Sequence, residues 1–461
     1  MTKKAKDKNM LSLKEIIIFA KQNGFVFSGS EIYGGLSNSF DYGSLGTLLK
    51  QNIKQAWKKK FFQERNDNVL LDSSIIMNSQ IWEASGHLEM FIDPLTENKE
   101  NNKRYRADKL IQSHDPSFDV SALTFEEMTQ YLIENEVLET KNWAPVKKFN
   151  MLFQTHQGVV IEENKPLYLR PETCQGIFVN FKNILNSTRK KLPFGVGQIG
   201  KSFRNEITPG NFIFRTCEFE QMELEFFCQP ETHQEWFAYW KEYSYNFLLE
   251  LGIKEENLEL KDNKKTELSH YSNATSDILF RFPWGFDELW GIASRTDFDL
   301  KNHQKYSKKD LKYFDENTKE KYFPFVIEPS LGVERLFLAL LADSLETEQL
   351  KEETSRTVLK IHPFLAPYKI AILPLIKKIH RHKAKELQKK LSNYFELTYD
   401  ENQSIGKRYR RQDSIGTPFC CTVDDQTLKD NTATIRDRDT MKQHRIPIEK
   451  IRDYIENKLL F

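Results

Sequence analysis

Apolar residues recur at helical spacing from Leu11 to Asn23, where Gly24 ends the pattern. They do so again over Leu45–Phe62, which predicts a second, longer amphipathic helix. These belong to 1–95, the N-terminal part of a first domain. Residues 96–165, opening Thr96-Glu-Asn-Lys-Glu-Asn-Asn-Lys103, read as a polar, weakly patterned insertion. From 166 to 345 the chain is strand-rich and dense in Phe and Glu, the expected core of that domain. A charged stretch, Asp343 to Arg356, with Pro363 and Pro367 after it, marks 346–366 as a linker. Beyond it, strand signals at Lys369–Leu373 and Phe419–Val423 alternate with helical stretches at His380–Tyr394 and Ile448–Leu460. That alternation predicts a small α/β domain over 367–461 with a mostly parallel sheet.

Candidate chemistry gathers in the first domain. Ser202–Ile207 and Phe212–Phe227 read as two strands joined around Thr208-Pro209-Gly210-Asn211. Side chains alternate between the faces of a strand. Arg204 and Glu206 are therefore expected on one face of the first strand, and Arg215, Phe219 and Glu223 on one face of the second. Phe214, Met222, Leu224 and Phe226 would point the other way, into a core. Arginines, a ring and carboxylates on one surface suit a nucleotide: guanidinium on phosphate, ring on base, carboxylate for an ammonium or Mg²⁺. The competing account is ordinary charge on a half-exposed sheet. Phe325-Val-Ile-Glu328-Pro-Ser330 predicts a strand running into the apolar helix Leu331–Leu341, whose positive end carries Arg335. Phe286–Asp299, with Glu288, is a third such element.

One motif is a decoy. Gly195-Val-Gly-Gln-Ile-Gly200-Lys201-Ser202 satisfies both GxxxxGK[ST] and GxGxxG. Either phosphate loop needs a buried strand before it and a helix after it. Ser187–Pro193 is no buried strand, and too few residues follow before Pro209-Gly210 for a helix. The segment is expected to be a Gly-rich strand entering a hairpin.

Composition narrows the class. With 461 residues, 39% hydrophobic and 29% charged, the chain has ample length for a core and no apolar run of membrane-spanning length. The basic start, Met1–Lys8, leads into an amphipathic pattern rather than a secretion signal, so a cytoplasmic location is expected. Five cysteines without a CxxC pair argue against a disulfide framework and a thiolate zinc site, and ten histidines form no HExxH. The net charge of +1 hides an asymmetry: Pro367–Phe461 holds 20 Lys/Arg against 13 Asp/Glu, a surplus of seven, leaving −6 for the remainder. A basic end on a near-neutral chain points to an anionic partner such as nucleic acid, against the plainer reading of a solvated lysine-rich surface. Lys407-Arg408-Tyr409-Arg410-Arg411 is its sharpest cluster, suited to RNA backbone and a stacked base.

At these residues the chain resembles a known family. Phe203-Arg204-Asn205-Glu206 and its hairpin are similar to motif 2 of class II aminoacyl-tRNA synthetases, and Gly332-Val-Glu-Arg335 with its helix to motif 3. Trp82-Glu-Ala-Ser-Gly-His87, Arg170-Pro-Glu-Thr-Cys-Gln-Gly-Ile-Phe178, Glu218-Phe-Glu-Gln-Met-Glu223, Glu328-Pro-Ser330 and Ile435-Arg-Asp-Arg-Asp-Thr-Met441 resemble the dimeric glycyl-tRNA synthetase family. The resemblance runs from about Gly34 to the C-terminus.

It implies an α+β fold: an antiparallel sheet flanked by helices, followed by an α/β anticodon-binding domain, in a homodimer. It implies ATP-dependent joining of glycine to tRNA through an adenylate. In that scheme Arg204 and Arg335 are catalytic. Arg204 holds the α-phosphate, Phe219 stacks the adenine, and Arg215 and Arg335 bind the outer phosphates. Asn205, Glu206, Phe214, Thr216, Cys217, Glu218, Glu288, Leu289, Gly332, Val333 and Glu334 complete the implied ATP site. Arg106, Glu172, Phe219, Glu220, Gln221, Met222, Glu223, Glu328, Pro329, Ser330, Leu331 and Gly332 form the implied glycine site. Glu288 and Glu328 would hold Mg²⁺ through ATP, and Lys407, Arg408, Arg410 and Arg411 would meet tRNA. No covalent nucleophile is required, since such chemistry rests on positioning and electrostatics. Glycine offers no side chain to grip, so selectivity must come from a dense hold on its ammonium and from excluding larger residues.

Three positions depart from the family's pattern. The insertion lacks the cysteine pairs many relatives carry, so no zinc is expected; Ser79 replaces a proline of motif 1; Cys217 stands where arginine is frequent. Two alternatives were weighed. Another class II synthetase lacks support because no side-chain ligand set accompanies the glutamates. A non-catalytic synthetase-like nucleic-acid-binding subunit would not need Arg204, Glu206, Glu288 and Arg335 together.

Overall fold

The computed structural model describes residues 11–120, 123–157, 166–206, 210–263, 272–351 and 354–461. At its centre is a seven-stranded sheet of β1 (Asn68–Leu70), β2 (Phe194–Phe203), β3 (Glu218–Cys228), β4 (Leu258–Asp262), β5 (Ala274–Phe282), β6 (Gly285–Thr296) and β7 (Phe325–Gly332). Across the sheet the order is β4-β5-β6-β7-β3-β2-β1. All neighbours are antiparallel except the edge pair β1 and β2.

Helices α1 (Leu13–Gln22), α2 (Ser44–Lys58), α3 (Cys174–Val179), α4 (His233–Glu250), α5 (Phe298–Ser307) and α6 (Val333–Ser344) flank it. A capping box between Ser12 and Glu15 starts α1, and Gly24, at φ +72°, follows its end. On one face of the sheet, Met222, Leu224 and Phe226 of β3 and Ile327 and Leu331 of β7 pack with Trp57, Trp240, Phe247 and Phe337 from the helices. Phe214 joins that core, as its expected side of the hairpin requires. On the opposite face, one end is closed by Ile177, Phe178 and Leu300 against Val196, Phe227 and Val326. The other end of that face stays open. β3 is therefore buried on both sides over most of its length.

The glycine-rich segment lies in β2, hydrogen-bonded along its length to β3. A Cβ at Gly197 would sit 2.3 Å from the Phe62 ring, and one at Gly200 2.2 Å from the Arg170 guanidinium. These glycines permit close packing in a sheet; they do not cradle phosphate.

The hairpin differs from expectation in its boundaries. β2 ends at Phe203, so Arg204, Asn205 and Glu206 leave the strand instead of alternating along it. Arg215 follows a 3₁₀ turn at Phe212–Phe214 and precedes β3. Ile207, Thr208 and Pro209 lie outside the described residues.

The polar insertion is more ordered than its composition conveys. Strands Ile92–Asn98, Lys103–Arg106 and Lys147–Asn150 form a sheet, and helices Ala107–His114 and Phe125–Glu134 bury Ile111, Met128 and Leu132 with Trp143. The segment expected as a linker, 346–366, also carries structure: β8 (Leu345–Lys351) and β9 (Thr354–Leu359) form an antiparallel hairpin.

After it come β10 (Ile370–Pro374), β11 (Leu397–Tyr399), β12 (Phe419–Val423), β13 (Thr432–Asp437) and β14 (Gln443–Pro447), ordered β11-β10-β12-β13-β14. Helices α7 (Lys377–Leu391), α8 (Ile405–Ser414) and α9 (Ile451–Lys458) pack with this sheet. Its first two pairings are parallel and its last two antiparallel, which corrects the mostly parallel expectation. The chain between β13 and β14, residues 438–442, is too short for a parallel crossover. Cys420 and Cys421 pack on opposite faces of β12. Among the described residues no helix is long and apolar enough to cross a membrane.

Candidate active site

The open end of the large sheet forms a cavity of about 360 Å³. Its mouth carries Arg204, Arg215 and Arg335; its depth carries Glu172, Glu223 and Glu328. Sheet register builds the floor. Gln221, Glu223 and Glu225 lie opposite Gly332, Ser330 and, by the same register, Glu328 on β7, and Gly291 lies opposite Ser330 on β6. Small residues on the neighbouring strands leave room above the carboxylates.

At the mouth, the Arg204 guanidinium lies over the Phe219 and Phe91 rings at 5.3 and 5.5 Å and donates to the Pro171 carbonyl at 3.1 Å. Arg335 lies 4.4 Å from the Phe214 ring centre and donates to the Glu288 backbone carbonyl and carboxylate, each at 3.0 Å. Arg215 approaches Glu206 at 4.0 Å. Burial raises the Glu206 carboxyl, against the pull of Arg215 and Arg204.

Deeper in, Glu223 accepts hydrogen bonds from the Thr173 amide at 3.1 Å, from the Thr173 hydroxyl, and from Ser330 Oγ at 2.7 Å. Gln221 Nε2 adds a longer contact at 3.3 Å. Burial, reinforced by Glu172, raises the Glu223 carboxyl. Burial also opposes ionisation of Glu172, but His87 at 3.4 Å and Arg295 outweigh it and hold Glu172 well below the usual carboxylate range. Arg295, fully buried, donates to Glu328 Oε2 at 2.8 Å and to both Asp299 oxygens at 2.8 and 2.9 Å. Burial still raises the Glu328 carboxyl against that pull. Adjacent carboxylates thus differ in their hold on a proton.

The cavity brings together Glu172, Arg204, Glu206, Phe214, Arg215, Thr216, Phe219, Gln221, Glu223, Glu288, Leu289, Glu328, Ser330, Gly332, Glu334 and Arg335. The other expected residues do not line it. Met222, Leu331 and Val333 are in the hydrophobic core. Glu220 turns to Lys50 and Lys54, and Glu218 pairs with Lys201. Asn205 turns to the carbonyls of Asn150 and Met151, and the Cys217 carbonyl accepts from the Arg204 amide; Pro329 also lies outside the lining. Arg106 is held by Asp93 and Asp108 in the insertion. Glu334 is anchored by Lys50 at 2.7 Å and by the Glu220 amide at 2.9 Å. Ser79 Oγ donates to the Pro166 carbonyl at 2.6 Å.

Sequence reasoning missed Asn263, Thr275 and Asp277 in the cavity wall. Asp277 Oδ1 and Glu288 Oε1 flank Gly291, 3.8 and 4.0 Å from where its Cβ would lie. This pair of hard oxygen donors at the open end suits Mg²⁺ better than Glu328, which is committed to Arg295.

The basic cluster lies on α8, where one face turns inward. Arg408 is buried and donates to the carbonyls of Pro374, Asp400 and Leu375. Arg411 pairs with Asp400. Lys407 and Arg410 remain exposed.

Comparison with known proteins agrees with this geometry. Residues 153–344 match the tRNA synthetase class II core domain (G, H, P, S and T), and residues 369–458 an anticodon binding domain. The chain is 55% identical to a glycine–tRNA ligase of Macrococcus caseolyticus, covering 99% of this chain and 100% of that one. It is 55% identical to another from Ruminiclostridium cellulolyticum (98% and 99% covered) and 54% identical to one from Clostridium perfringens (98% and 99%). Among solved structures, the RNA binding domain of threonyl-tRNA synthetase from Cryptosporidium parvum superposes with a TM-score of 0.65 at 17% identity, covering 96% of this chain and 98% of that chain. Prolyl-tRNA synthetase from the same organism gives 0.61 at 13%, covering 96% and 74%. Those two show the fold; the near-full-length relatives show the family. With a class II core, an anticodon binding domain and this identity across the whole chain, the protein belongs to the glycine–tRNA ligases of the class II aminoacyl-tRNA synthetases.

Proposed function

We propose that the chain activates glycine with ATP and passes the glycyl group to tRNA. One observation carries this reading: a single cavity has guanidinium groups at its mouth and hydrogen-bonded carboxylates on a floor bordered by Gly332, Ser330 and Gly291. Phosphates belong at the first end and an ammonium at the second. A glycine carboxylate oxygen attacks the α-phosphorus, the bond to the bridging oxygen breaks, and pyrophosphate leaves. A ribose hydroxyl of tRNA then attacks the carbonyl carbon and AMP leaves.

Arg204 neutralises charge building on the α-phosphate; Arg215 and Arg335 hold the outer phosphates. Phe219 and Phe214 provide ring faces beside those guanidinium groups for the adenine. Glu288, with Asp277 as neighbour, would hold Mg²⁺, which would screen the phosphate charge. Glu172, Glu223 and Ser330 receive the ammonium, and the small floor excludes side chains.

Lys407 and Arg410 give α8 its basic outward face for tRNA. Ile32, Tyr33 and Leu36, exposed at 88%, 87% and 67%, form an apolar patch consistent with a homodimer contact. Free cysteines throughout fit a cytoplasmic setting. The test is ATP–pyrophosphate exchange with single amino acids: glycine should support it, alanine and serine should not. Equal exchange with serine would overturn the glycine assignment.

A further inference from the structure

Glu225 is a carboxylate that the proposed chemistry does not use. It lies on β3 two residues beyond Glu223, on the same face, directly opposite Glu328 on β7. Val196 is its other strand neighbour, so no donor comes from β2. The residue is fully buried, and neither of its oxygens meets a hydrogen-bond donor. Its carboxyl oxygen lies within 4.8 Å of ligand atoms of Glu223, Glu328 and Cys174, and it is placed to hydrogen-bond Glu328. Two carboxyl groups can share such a bond only if one carries a proton. Arg295 donates to Glu328 Oε2 and no donor reaches Glu225, so of the two carboxyls Glu328 is the better placed to carry the negative charge. The other groups facing this spot are Glu172, Asp299 and the Cys174 thiol, none of which brings a compensating cation.

We propose that Glu225 is a positioning residue of the amino-acid subsite: a neutral carboxylic acid whose O–H donates to Glu328 and fixes that carboxylate in the cavity floor. The assignment rests on the glycine-activating reading above. Burial and the Glu328 charge both raise the Glu225 carboxyl well above its ordinary range, in keeping with a retained proton. A neutral acid aligns Glu328 without adding a further negative charge to the cluster. The floor then keeps one geometry before substrate arrives, which a mobile pair of repelling carboxylates would not.

The experiment uses the full chain and two variants, Glu225→Gln and Glu225→Ala. Infrared spectra of the resting protein should show the carbonyl stretch of a protonated carboxylic acid, absent from Glu225→Gln; no difference between the two would overturn the proposal. In exchange kinetics, the Gln amide replaces the O–H donor and should keep the KM for glycine within about threefold of wild type, while Ala raises it roughly ten- to hundredfold with the KM for ATP unchanged. A Gln variant as impaired as Ala, or an equal rise in the KM for ATP, would also overturn it. So would stoichiometric metal in the purified protein that Glu225→Ala abolishes, because an ion among Cys174, Glu223, Glu225 and Glu328 requires Glu225 ionised. If wild type shows no glycine-dependent exchange, the functional reading fails while the infrared test still decides the proton.

Discussion

Arg204 touches rings on two sides and one backbone carbonyl, and no carboxylate neutralises it at close range among the described contacts. Its charge is therefore directed into the cavity. Arg204→Ala should lower glycine-dependent exchange by about 2–4 kcal/mol of transition-state stabilisation while leaving the thermal unfolding midpoint nearly unchanged. Near-normal exchange would show that the phosphate is held elsewhere. Glu172 supports a pH prediction. Its folded carboxyl sits below the unfolded value, so its contribution is present above about pH 4 and is lost as pH falls through the depressed value. Urea unfolding measured from about pH 5 down to about pH 3 should show wild type losing more stability than Glu172→Gln; parallel losses would refute the link. Most cavity residues were legible because they sit in motifs. Asp277 was not, since an aspartate in an ordinary strand carries no signal. Nor could sequence reveal that His87 meets Glu172 or that Arg295 meets Glu328, because those contacts join distant segments.

At the scale of elements, periodicity located α1, α2, α7, α9, β10 and β12 to within a few residues and left α4, α8, β11, β13 and β14 uncalled, and it could not separate one reading of glycine from another. Gly195, Gly197 and Gly200 make a phosphate-loop pattern by coincidence of packing needs along β2. Gly197→Ala should destabilise the fold by about 1–3 kcal/mol, the usual cost of overpacking, through the Phe62 and Trp57 rings. Its KM for ATP should stay unchanged; a selective loss of ATP binding with intact stability would revive the phosphate-loop reading. The basic cluster misled for a related reason. Read along the chain its residues look uniformly available to a phosphate, whereas a helix turns Arg408 and Gln412 inward and leaves Lys407 and Arg410 outward. The hairpin in 346–366 was hidden because its strands are charged and gain order from partners elsewhere, above all from Asp413, which Arg356 of the second strand reaches.

For the whole molecule, those partners decide how the C-terminal region can be tested. Asn52 of α2 donates to the carbonyls of Leu365 and Ala366, and Phe461 packs on Phe247 and Phe364. Removing 367–461 would strip Phe461 from Phe247 and Phe364 and leave Arg356 buried without Asp413, so truncation is not a clean probe. Lys407→Glu with Arg410→Glu is cleaner: tRNA charging should fall and become less sensitive to salt, while glycine-dependent exchange stays at the wild-type rate. Unchanged charging would make the basic face a solvated surface. Asp413→Ala should cost about 3–5 kcal/mol in chemical unfolding, because it leaves Arg436 buried without its carboxylate and Arg356 with Glu348 alone; a loss below about 1 kcal/mol would mean the arginines find water. The same cluster sets a gauge. Apolar seams tolerate sliding, but Arg356 must reach Asp413 and the Arg438 carbonyl at once, each 2.9 Å away, which fixes both spacing and angle. On the proposed function, a tRNA resting on α8 would therefore be measured as well as held: one whose arm is a base pair too long should bind with normal affinity yet be charged slowly, its end presented off the cavity mouth.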